Sequence, residues 1–153
     1  MLALACLGAG LLVLLWPGAA GAVTCSLAGT TVTIAPSIGE SVTVDALGAS
    51  GGIRVNAGSP ACTGSPTVTN TDAITVTMTT GTETITSDLS APFTPGSTAE
   101  GSGVSEIEWT FAGSGTGAND TLIILGGAGN DSISLSTTGI DLTGDTDTDV
   151  ALG

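Results

Sequence analysis

Asp72-Ala73-Ile74-Thr75-Val76 reads acid, any residue, aliphatic, any residue, aliphatic, and eleven residues on Glu83-Thr84-Ile85 starts the same pattern again. The form returns, also eleven apart, as Asp120-Thr121-Leu122-Ile123-Ile124 and Asp131-Ser132-Ile133-Ser134-Leu135. Glu106-Ile107-Glu108-Trp109-Thr110-Phe111 is a looser copy, and Ile140-Asp141-Leu142 is a last strand without the leading acid. Alternation with a period of two puts aliphatic side chains on one face, the mark of a strand rather than a helix. Gly-rich turns separate the copies, and residues 90–103, with Pro92 and Pro95, read as an inserted loop. Short strands at a near-constant spacing suit a stack of β-coils, each burying one or two aliphatics against its neighbour. The expected fold is all-β: an irregular parallel β-solenoid or β-roll-like stack over residues 68–153. An antiparallel β-sandwich uses the same short strands and stands as the alternative.

Upstream of the repeats, Thr31-Val32-Thr33-Ile34 and Ser41-Val42-Thr43-Val44 alternate in the same way, and Ile53-Arg54-Val55 is a further short strand. Residues 23–67 contain Cys25 and Cys62, an even pair, and are expected to form a small β region stapled by a Cys25–Cys62 disulfide. Residues 2–16 are uncharged and apolar, Pro17-Gly18 ends the run, and Ala20-Gly21-Ala22 supplies a small-residue cleavage pattern. The run is shorter than the roughly 20 residues of a membrane span. Residues 1–22 are therefore read as a secretory signal peptide cut between Ala22 and Val23, with Cys6 leaving alongside it. The mature chain is expected to be secreted, extracellular and free of membrane insertion.

The 153 residues hold one basic side chain, Arg54, against 14 acidic ones, a formal charge of -13, with no His. One arginine cannot build a basic face for nucleic acid. Imidazole base catalysis and lysine Schiff-base chemistry are excluded for want of the residues. Glu106 and Glu108 alternate on one strand, which reads as an exposed acidic face with Ile107 and Trp109 turned inward. A glycosidase pair needs a second carboxylate across a cleft, so a carbohydrate-active β-helix is the weakest reading and no enzyme is expected. Charge repulsion on this scale weakens a compact fold unless cations bind.

Gly126-Gly127-Ala128-Gly129-Asn130-Asp131-Ser132-Ile133-Ser134 fits the nonapeptide G-G-x-G-x-D-x-U-x at every constrained position. On these residues, 126–134, the chain resembles the hemolysin-type calcium-binding repeat (RTX) family. The resemblance implies a parallel β-roll whose turns bind Ca2+, with Asp131 supplying a carboxylate and Gly127 and Gly129 main-chain carbonyls. Asp120 closes the preceding turn, with the glycines displaced. Asp141, Asp145, Asp147 and Asp149 form a second acidic cluster. Its alternating acids match the first, third and fifth positions of an EF-hand loop, but Val150 stands where that loop requires Gly. Stacked beside the Asp131 turn, the cluster would complete an irregular calcium site. Asn119-Asp120-Thr121 and Asn130-Asp131-Ser132 are formal glycosylation sequons, read here as turn chemistry. The expected function is a secreted, non-enzymatic calcium-binding repeat protein, the N-terminal part of a longer array, whose turns calcium stabilises outside the cell. A metal-independent surface structural or adhesive β module is the alternative.

Overall fold

The computed structural model describes residues 22–99, 105–113, 119–128, 133–135, 139–142 and 148–152. The expected signal peptide through residue 21 lies outside the described residues, as do Gly129, Asp131, Asp145 and Asp147. The strands are β1 (Thr24–Ala28), β2 (Thr31–Ala35), β3 (Ser41–Ala46), β4 (Ile53–Val55), β5 (Ala73–Thr77) and β6 (Thr84–Asp88). They continue with β7 (Glu108–Ala112), β8 (Thr121–Leu125), β9 (Ser134–Leu135), β10 (Gly139–Asp141) and β11 (Val150–Leu152). Among the described residues the sole helical element is a single 3₁₀ turn at Asn56–Gly58. The chain is all-β, as its period-two patterning predicts.

Two mixed sheets share these strands. The larger runs β1-β2-β5-β7-β11-β10-β9 and the smaller β4-β3-β6-β8. The chain passes from the larger sheet to the smaller three times, from β2 to β3, β5 to β6 and β7 to β8. Strands that return to one sheet pair in parallel, which a tight hairpin cannot do. Thus Val32, Ile74, Trp109 and Val150 lie in one row of the larger sheet. Val42, Ile85 and Leu122 form a row of the smaller. Only β1, β4 and the β9-β10-β11 group pair antiparallel. The eleven-residue spacing is therefore one step between sheets: Asp72 precedes β5 and Glu83 precedes β6. A full circuit is much longer, from Thr31 to its partner Ala73 and from Ala73 to Glu108.

The rows are also the core. Val32, Ile34, Val44, Ile74, Val76 and Ile85 are wholly buried and belong to one cluster spanning both sheets. Each such side chain contributes roughly 1.5–3 kcal/mol by leaving water. Among the described residues the rings gather on the larger sheet, where Phe93, from the loop after β6, meets Trp109 edge-on at 5.1 Å and Trp109 stacks on Phe111 at 5.7 Å. Both sheets run across the boundary between residues 67 and 68, through β2–β5 and β3–β6. At the N-terminal end the chain folds back over both edges. Leu27 N–H donates to the Thr63 carbonyl and Ile53 N–H to that of Pro66, each at 2.9 Å. The Cys25–Cys62 disulfide forms as expected and pins this cover to β1.

Candidate cation site

Acids stand at the entrance to most parallel strands, and the register stacks them. Glu40, Glu83 and Asp120 precede β3, β6 and β8, whose first residues Ser41, Thr84 and Thr121 are paired in one row. Their carboxylates capture backbone N–H groups of the turns. Glu40 accepts from Val23 at 3.3 Å and Ser37 at 2.8 Å. Glu83, wholly buried, accepts from Gly39 N–H at 3.1 Å and the Thr79 hydroxyl at 2.6 Å. Asp120 accepts the N–H of Glu83 at 3.1 Å. In the larger sheet, Asp72 accepts from the N–H groups of Ser97 and Thr98, both at 2.7 Å. Partial burial pushes the Asp72 carboxyl up, but the hydrogen bonds from Thr98, Ser97 and Thr30 together outweigh it and hold the group below its ordinary value. These acids fasten one circuit of chain to the next.

Glu106, Glu108 and Asp149 come together at the larger sheet. Among the described residues they form the one trio of acids that each offer a carboxylate oxygen within 4.8 Å of the other two. Glu108 opens β7 and Asp149 immediately precedes β11. The parallel pairing of Trp109 with Val150, with Trp109 N–H donating to the Asp149 carbonyl at 2.8 Å, brings them side by side. Glu106 is 6 % and Asp149 2 % exposed, while Glu108 is half-buried. Asp149 is held in place by the N–H of Leu142. The carbonyl of Glu106 packs on Gly96, where an added Cβ would sit 2.8 Å from that oxygen. Beside the trio lies a cavity of about 180 Å³, walled by Phe93, Ile107, Trp109 and Leu142 and reached by Glu106 and Asp149.

Burying ionised carboxylates close together costs several kcal/mol unless a positive charge compensates them. The chain has one basic side chain, Arg54, and it is engaged by Asp45 through two hydrogen bonds, with Nε to Oδ1 at 3.0 Å. The hydrogen bond and charge of Asp45 outweigh desolvation and raise the Arg54 pKa. Three carboxylates and no nitrogen or sulfur make a donor set for a hard cation.

Of the residues expected from sequence, three are described and do not belong to the trio. Asp120 lies at the entrance of β8, and Gly127 follows that strand. Asp141 ends β10, paired with Ser134 of β9, next to the Leu142 amide that holds Asp149. Gly129, Asp131, Asp145 and Asp147 fall outside the described residues. The expectation that Glu106 sits on an exposed acidic face is corrected, because it lies before β7 and turns into the protein. The carboxylate that joins Glu106 and Glu108 is Asp149, which immediately precedes β11, far along the chain. Its signal was present, since Asp149-Val150-Ala151-Leu152 is another acid leading alternating aliphatics. No family model, curated protein or solved structure matches the chain.

Proposed function

We propose that this chain is a secreted, non-enzymatic β-solenoid module whose later circuits are fastened by calcium held between Glu106, Glu108 and Asp149. The observation that carries the reading is the trio itself: oxygens within 4.8 Å, two of the three residues buried, in a chain whose single basic group is already paired. Calcium takes oxygen ligands at about 2.3–2.6 Å, so oxygens on opposite sides of one ion stand roughly 5 Å apart. Magnesium demands a strict octahedron at about 2.0–2.1 Å and keeps several waters, so a cluster of three protein carboxylates suits calcium better. Backbone carbonyls and water would complete the shell.

The alternation between two sheets and the parallel rows support the solenoid reading, with circuits far longer than paired nonapeptides. The disulfide supports an oxidising destination. An ion bridging β7 to the turn before β11 binds the folded circuits and not the unfolded chain. It therefore stabilises by linkage, about 2.7 kcal/mol at a hundredfold excess over its dissociation constant. Low cytosolic calcium would leave that stabilisation absent before export.

The test is thermal unfolding of the disulfide-bonded protein in chelator, magnesium and calcium, with the Glu106→Gln/Asp149→Asn variant alongside. The expected result is a calcium-specific rise in Tm that the variant loses, with the variant's Tm in chelator at or above that of the parent. Identical melts in all three solutions overturn the cation reading and leave the metal-independent structural module. A calcium response retained by the variant moves the ion elsewhere, with the Asp131 turn next to examine.

A further inference from the structure

Val23 stands one residue ahead of β1, outside the ladder that opens with Thr24 opposite Ala35. Its N–H donates instead to Oε1 of Glu40 at 3.3 Å, in the turn between β2 and β3. The carboxylate is fixed from its other side, because Oε2 accepts the N–H of Ser37 at 2.8 Å. The Glu40 backbone is fixed as well. Its N–H donates to the Ser37 carbonyl at 3.0 Å, and its carbonyl accepts Thr84 N–H at 3.1 Å, which ties the turn to β6.

Val23 is held equally firmly. Its side chain is buried in the core cluster, and two residues on Cys25 is bonded to Cys62. Chain ends fray unless they are tied down in such ways. The bond that the small-residue pattern marks for cutting, Ala22–Val23, joins an exposed residue to a buried one. Hydrolysis breaks its C–N bond: the oxygen of water goes to the Ala22 carboxylate and both protons go to the Val23 nitrogen. That nitrogen, already beside Glu40 as a neutral amide, becomes an α-ammonium at neutral pH.

The composition makes this ammonium easy to follow. The sequence has no Lys, no His and no Tyr, and its one arginine is bonded to Asp45. Cys6 belongs to the segment removed, and Cys25 and Cys62 are joined. A chain that starts at Val23 therefore has one primary amine, and that amine is its one group titrating between about pH 7 and 11. Among the described residues the acids on this turn are Glu40 and Glu83, whose Oε1 accepts Gly39 N–H and the Thr79 hydroxyl. The hollow beside Ala22 is walled by Thr24, Ala35, Pro36, Ser37, Ile38 and Thr79, none of which titrates.

We propose that Glu40 is the binding site for the chain's own processed N-terminus: cutting at Ala22–Val23 creates an α-ammonium that Glu40 captures as an ion pair. The inference rests on the secretion reading above and is independent of the cation site. A hydrogen bond from a neutral amide gives way to one from a cation, which is roughly twice as strong. Processing thus locks the start of β1 to the turn before β3, a lock the uncut chain holds only weakly. The carboxylate favours the charged amine and raises its pKa above the ordinary value of about 7.7–8.0, against a smaller lowering by burial. The stability gained is complete below about pH 8 and is lost as pH rises through the folded value.

The test exports the full chain with its own leader and reads the N-terminus of the product by mass spectrometry. A start at Val23 is expected, and any other start overturns the proposal together with the cleavage reading. Acylation of the exported protein by a succinimidyl ester is then followed against pH, where each adduct reports the single amine. The expected pKa lies about one unit above that of a short peptide of residues 23–28, with acylation at pH 7 about tenfold slower. Glu40→Gln keeps an oxygen for the same hydrogen bonds and should return the pKa to the ordinary range. Asp88→Asn, at the other end of β6 from Thr84, should leave it raised. An ordinary pKa in the parent, a raised one that survives Glu40→Gln, or an equal loss in Asp88→Asn overturns the ion pair and leaves secretion standing. If Glu40→Gln does not fold, the parent decides alone: its Tm should fall between about pH 8 and 10, and a flat profile overturns the proposal.

Discussion

Replacing Cys25 and Cys62 together by alanine removes a crosslink between residues 37 apart in sequence. Closing a loop of that length in the unfolded chain gives a loss of about 4 kcal/mol by chain entropy. A domain of about 130 residues unfolds with an entropy near 2.1 cal/mol/K per residue, so the melting temperature should fall by about 14 °C. The native geometry adds a local effect with the same sign. Thr63 N–H donates to the Cys25 carbonyl at 3.0 Å and its own carbonyl takes Leu27 N–H, so the bond also holds the cover over β1. Alanine suits the test because Cys25 is buried and a serine hydroxyl would add a desolvation cost. Thermal and urea unfolding at one calcium concentration measure both the loss and the denaturant slope. A fall of less than about 5 °C with an unchanged slope would refute the calculation, because the crosslink would then not restrict the unfolded chain.

Two further outcomes follow from the hydrogen-bonded turns. Asp72 and Asp88 have folded pKa values below their ordinary 3.8, Asp88 through the hydroxyl and N–H of Ser90. The stability they contribute is complete above pH 3.8 and drains away as pH falls through the lower folded values. Melts across the acid range should therefore flatten in Asp72→Asn, and an unaltered acid slope would count against the Asp72 bonds. Gly96 has φ +79° with a Cβ position 2.8 Å from the Glu106 carbonyl, whereas Gly39, at φ +72°, has nothing within 4 Å. Gly96→Ala should cost about 2–3 kcal/mol and Gly39→Ala about 1 kcal/mol in urea unfolding. Equal losses would mean that Gly96 is not pressed against the site.

Local features of the chain were legible because they arise within a few residues. Alternation at Thr31-Val32-Thr33-Ile34 and Ala73-Ile74-Thr75-Val76 is enough to make strands, since successive side chains point to opposite faces. Pairing of Cys25 with Cys62 followed from an even count. The recurring acids were visible too, and the eleven-residue step between Asp72 and Glu83 is real. Its meaning was not visible, because a spacing along the chain cannot say whether two strands stack in one sheet or lie in two. Glu106 was misjudged for a related reason: alternation describes a strand, and Glu106 lies before β7, where the turn aims it inward.

Strand character, the single basic side chain, the recurring acids and the cysteine pair belong to the sequence, being set by residue identity and nearest-neighbour geometry. The meeting of Glu106 and Glu108 with Asp149, and the alignment of Leu122 with Ile85 and Val42, belong to the folded chain. Both depend on parallel registers between segments some forty residues apart, and such pairings are selected by the packing of the whole core rather than by any stretch within it.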